Sequence, residues 1–160
     1  MYLVREAKLD PLQLVLMGTV MEAAVFVCEV PTGVVADLVS RRLSLGIAWL
    51  LQGGAWALAG ATRSFTVILV AWVVWGIGAT FESGAFQAWI TDEVGLERVG
   101  RAFVRGSQAS LAGGIVGVLV GFAVATASIR AAIYGAGAVT VAMGVVALAF
   151  MPQTLASWVP

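Results

Sequence analysis

Charged residues in this chain are few and bunched, and the gaps between the bunches are long enough to cross a lipid bilayer. No charge occurs between Arg42 and Arg63, between Arg105 and Arg130, or anywhere after Arg130. A spanning helix takes about 20 mostly apolar residues, and the charges divide the sequence into five such segments. They cover residues 11–36, which include Glu22 and Glu29; 43–62; 64–90, which include Glu82; 106–129; and 131–151, which Pro152 stops. The expected fold is therefore all-α, a multi-pass membrane helix bundle of five spans.

Composition agrees with that class and excludes several others. Hydrophobic residues make up 61% of the chain and charged residues 11%, with a mean hydropathy of +0.99, too apolar for an ordinary soluble domain. The formal net charge is zero, so no basic surface argues for nucleic acid. Cys28 is the single cysteine and there is no histidine, which rules out an internal disulfide and removes the commonest metal ligand and general base. No phosphate-binding loop, zinc-protease or hydrolase-nucleophile pattern occurs. The expectation is a non-enzyme without metal or cofactor. Met1–Val4 is followed at once by Arg5, Glu6 and Lys8, which is not the pattern of a cleavable signal.

One stretch links the first span to the second with a distinctive set of residues. Glu29, Gly33, Asp37 and Arg41 recur every fourth position, so on a helix they form one slowly drifting stripe that ends in the pair Arg41–Arg42. Gly33 allows close backbone approach, Asp37 marks the exit from hydrocarbon, and the arginines hold the loop on the cytoplasmic side. This G-x-x-x-D-x-x-x-R-R pattern resembles the signature loop between the second and third helices of major facilitator superfamily (MFS) transporters. The preceding Glu29-Val-Pro31-Thr-Gly33 looks like the drug and macrolide efflux branch of that superfamily.

The resemblance implies a specific architecture. In the family, a six-helix half consists of two three-helix repeats of inverted topology, and such a loop follows the second helix. Only one span precedes it here, so the chain is expected to be an incomplete N-terminal half, helices two to six of a twelve-helix transporter. Residues 1–160 would form one partial domain: 11–62 the incomplete first repeat, 63–152 the second. The partners implied are the lipid bilayer of the cell membrane, a small-molecule substrate, protons, and either the missing transporter half or another copy of the chain. Arg41, Arg42, Arg98, Arg101 and Arg105 fall on one side, taken as cytoplasmic, against Arg63 and Arg130 on the other. Arg5 and Lys8 also fall outside and reduce that bias.

Acids within a span are costly and are functional candidates by default. At a rise of about 1.5 Å per residue, Glu82 lies about 15 Å from Asp92, close to the middle of a core about 30 Å thick. Glu29 and Glu22 lie about 12 and 22 Å above Asp37 by the same rule. Trp75, Gly78, Phe86 and Trp89 share the helical face of Glu82, and Ser83 and Gln87 are polar neighbours. A carboxylate framed by aromatic rings suits a lipophilic cation. Equally, Glu82 could hydrogen-bond a neighbouring helix while the rings pack. Burial favours the neutral carboxyl, so Glu82, and with it Glu22, is expected to exchange a proton for a cationic substrate, the physical content of drug/proton antiport. Two marks of antiport in the family are missing: Trp72 stands where an arginine precedes Gly76 by four, and the fourth span lacks a Gly-Pro pair.

Two further groups carry expectations. Arg41 and Arg42, with Asp92 and Glu93 across from them, would form a cytoplasmic latch, and Glu29, Pro31, Gly33 and Asp37 would complete the gating loop. Gly113, Gly117 and Gly121 make a ridge that lets a second membrane helix come close. Against the transporter reading stands a membrane scaffold or assembly remnant in which the acids serve only helix pairing.

Overall fold

The computed structural model describes residues 2–38 and 40–152, the side chains of 37 and 38 excepted. It contains a short helix α1 (Tyr2–Arg5) and five long ones: α2 (Pro11–Leu38), α3 (Arg41–Ala61), α4 (Phe65–Val94), α5 (Leu96–Ala127) and α6 (Ile129–Phe150). All five long helices have the length and apolarity to cross a membrane. They run antiparallel in sequence order. The starts of α3 and α5 therefore lie at the same end as the finishes of α2, α4 and α6, and α1 lies at the opposite end.

Residue chemistry sets the boundaries. Ser40 caps α3 by accepting the Leu43 amide on its Oγ (3.3 Å), and Ser128 caps α6 the same way from Ala131 (3.2 Å). Gly95, with φ of +76°, separates α4 from α5 in a single residue. Here the helices depart from the spans that charge positions predict. α4 continues past residue 90 and α5 begins well before Arg105, because Arg98 and Arg101 mark where the chain leaves hydrocarbon, not where the backbone stops being helical. At 32 residues α5 is roughly 48 Å long, well beyond a core of about 30 Å.

α3 is the central packing element, flanked closely by α4 and α6, while α2 packs chiefly on α4. The α3–α6 contact relies on small residues: a Cβ added to Gly53 would meet the Gly137 carbonyl oxygen at 2.8 Å and the Val141 nitrogen at 2.9 Å. Without a hydrophobic drive between helices in lipid, such close backbone approach is what dispersion forces require. Leu45, Ala48, Ile68 and Ala71 are fully enclosed. α5 is different. It touches the bundle lightly and has no buried residue.

The end of the bundle that carries α1 is tied by polar groups. The Tyr2 hydroxyl donates to the carbonyls of Thr62 (2.5 Å) and Gly60 (3.3 Å), and Arg130 Nε pairs with Glu6 Oε2 at 3.1 Å.

Candidate functional site

The intramembrane acid Glu82 sits half-buried on α4, and its partner comes from α3: Gln52 Nε2 donates to Glu82 Oε2 at 2.8 Å. Gln52 is itself 8% exposed, so this is a polar pair held between two spans. Gly78 makes it possible. One turn before Glu82, a Cβ there would lie 2.9 Å from the Ala48 carbonyl oxygen and 2.9 Å from Gln52 Cγ. Only a hydrogen at that position lets α3 come near enough for the amide to reach the carboxylate.

The aromatic residues predicted around Glu82 divide among different surroundings. Trp75 packs with Val74 against Ala55, Ala59 and Ala71. It joins a row of indoles in which Trp72 lies 5.9 Å from Trp75 and 5.7 Å from Trp56, the latter pair edge to face at 67°. Trp89 packs instead toward the end of α4, with Trp49, on Ala36, Leu45 and Ala85. Phe86 and Gln87 are exposed, and the Gln87 carbonyl accepts from Thr91 Oγ1 at 2.8 Å. Glu22 and Glu29 are exposed on α2. The ionised form of either requires water or further protein at that depth, because acyl chains offer no compensation.

Where α3 begins, the residues expected to form a latch are partly joined. Arg41 forms an ion pair with Asp92 and also donates Nη1 to the Ala88 carbonyl at 3.0 Å, with its side chain only 18% exposed. Arg42 turns elsewhere, donating Nη1 to the Met151 carbonyl at 3.1 Å just past the end of α6. A cation there complements the negative end of the helix dipole. The first turn of α3 thus fastens the ends of both α4 and α6. Glu93 is exposed, and the side chain of Asp37 falls outside the described residues. Pro31 lies inside a continuous α2, where it removes one backbone donor. Nearby, Thr32 Oγ1 donates to the Cys28 carbonyl at 2.8 Å. Gly33 has open space where a Cβ would stand.

The ridge Gly113, Gly117 and Gly121 also meets open space, with no helix among the described residues within 4 Å of an added Cβ. Gly117 and Gly121 line one wall of an apolar groove of about 470 Å³ whose other walls include Leu3, Trp56, Trp72 and Ile133. Among the described residues no group of three or more Cys, Asp or Glu is placed to hold a metal ion.

Five apolar helices long enough to cross a membrane, antiparallel in sequence order and with a polar pair held between two of them, define a multi-pass membrane protein. Comparison with known families gives that class its name. Residues 1–157 match the Major Facilitator Superfamily, and the chain belongs to it. Over 99 residues, 62% of this chain, it is 30% identical to YxaM of Bacillus subtilis (strain 168), an uncharacterized MFS-type transporter. The aligned stretch spans 25% of that relative's length. No solved structure matches the chain.

Gln52, Tyr2 and the Glu6–Arg130 pair escape a reading of the sequence. Gln52 was legible only as the one strongly polar side chain within the second span.

Proposed function

We propose that this chain is part of a secondary transporter of the drug and macrolide efflux branch, moving lipophilic or cationic small molecules across the cell membrane by alternating access. The observation that carries this reading is the Gln52–Glu82 pair, a carboxylate held within the span of α4 by an amide from α3. In this reading Glu82 takes a proton in one state and yields it to a cationic substrate in the other, with Glu22 as a second carrier. Gln52 stabilises either form, donating to the carboxylate and, after amide rotation, accepting from the acid. The Arg41–Asp92 pair closes the cytoplasmic side and opens when the halves rock. The other half of the transporter, or a second copy, meets α5 and its glycine ridge.

Glu82→Gln tests the proposal because it keeps size and hydrogen bonding but cannot titrate. Proteoliposomes of the protein, given a pH gradient and a lipophilic quaternary ammonium dye, should lose most proton-driven exchange in the variant. Unchanged exchange would remove Glu82 from the mechanism. The hydrogen bond from Gln52 also favours a second reading, in which the pair only joins two helices of a membrane scaffold. That reading predicts no dye flux in the unmodified protein.

A further inference from the structure

A second concavity lies at the cytoplasmic end of α4 and α5, separate from Glu82. It encloses about 320 Å³ and is lined by Glu93, Val94, Arg98, Arg101, Ala102 and Arg105. Spacings of three and four put the three arginines on one face of α5. All three are exposed, and among the described residues none of them is engaged in an ion pair. Three guanidinium groups thus border the space against one carboxylate, that of Glu93.

The depth and the continuation of that face say what fits. α5 exceeds the bilayer core, so its first turns stand in the headgroup layer and Arg105 lies near the boundary with hydrocarbon. Continuing down the helix from Arg105, the same face carries Ala112, Val116 and Leu119; Val116 and Leu119 are 59% and 64% exposed. The column is cationic at the interface and apolar below it. It lies roughly a third of a turn around the helix from the glycine ridge, so a helix docked on the ridge leaves it open.

We propose that this is a binding site for the phosphate headgroup of an anionic phospholipid in the cytoplasmic leaflet, with an acyl chain lying along Val116 and Leu119. Planar guanidinium groups pair with phosphate oxygens through two parallel hydrogen bonds, and basic pockets on the cytoplasmic side of membrane helices recognise such headgroups. The apolar column favours a lipid over free phosphate, which would gain nothing from it.

Native mass spectrometry of the purified protein in neutral detergent, titrated with phosphatidylglycerol, phosphatidylcholine or inorganic phosphate, tests the site. Phosphatidylglycerol should bind at least about tenfold more tightly than phosphatidylcholine. Each Arg→Gln change should weaken it about fivefold, and the triple change R98Q/R101Q/R105Q about a hundredfold. Glu93→Gln should strengthen binding a few-fold, a gain that loss of folding cannot produce. Equal retention of phosphatidylglycerol by the unmodified and triple-variant proteins, or equal binding of the two lipids, overturns the proposal. So does displacement of the lipid by inorganic phosphate at matched concentration.

Discussion

Gly78 offers the most direct physical test of how the polar pair is built. In Gly78→Ala the new methyl would stand 2.9 Å from the Ala48 carbonyl oxygen, 2.9 Å from Gln52 Cγ and 3.2 Å from Leu51 Cβ. The first of these is backbone and cannot rotate away, so α3 must retreat by several tenths of an ångström. Inserting one methyl into such a contact costs about 1–3 kcal/mol. Alanine also has a helix propensity better than glycine by about 1 kcal/mol, which partly offsets the cost. Gly84→Ala on the same helix separates the two effects, because nothing lies within 4 Å of its Cβ. The propensity gain is common to both variants. Reversible unfolding of each in mixed detergent–SDS micelles should therefore place Gly78→Ala below Gly84→Ala by about 1–3 kcal/mol. Variants within about 0.5 kcal/mol of each other, the scatter of ordinary surface changes, would mean that α3 and α4 do not approach so closely.

Gln52→Leu should destabilise the protein in the same assay by about 1–3 kcal/mol, since it leaves the Glu82 carboxylate without its donor, whereas adding Glu82→Leu should recover most of that loss. Where α3 meets the end of α4, a double-mutant cycle on Arg41 and Asp92 should show coupling of up to about 1 kcal/mol that shrinks as salt rises. Arg41→Ala should cost more than Asp92→Ala because it also releases the Ala88 carbonyl. With Cys28 replaced by alanine, single cysteines at Ser40 and Arg98 should label from one face of the membrane and cysteines at Arg63 and Ser128 from the other. Labelling of Ser40 and Arg98 from opposite faces would break the threading.

The spans were legible because charge placement records where the chain meets water, and five long apolar intervals, three of them without any charge, leave few other folds. Helix ends were less so. Arg98 and Arg101 mark the interface while the helix runs on beneath them to Leu96. The face shared by Trp75, Glu82 and Trp89 was also readable. Its consequences were not, because seven residues carry a side chain about 10 Å along the axis, and at that distance Trp75 and Trp89 enter different clusters. Gln52 belongs to a span with no charge to draw attention to it, and only the missing Cβ at Gly78 turns it toward Glu82. Charge complementarity suggested that both arginines would meet the acids across from them. Arg42 instead serves the end of α6, whose unpaired carbonyls are a feature of every helix terminus and carry no label in the sequence.

The joints of α5 have a mechanical meaning. Gly95 alone links it to α4, and Ser128 alone links it to α6. Although α5 touches the bundle lightly along its flanks, joints one residue long give it no slack at either tip. Any body that shifts α5 along its axis must therefore displace the last turn of α4 and the first turn of α6 together.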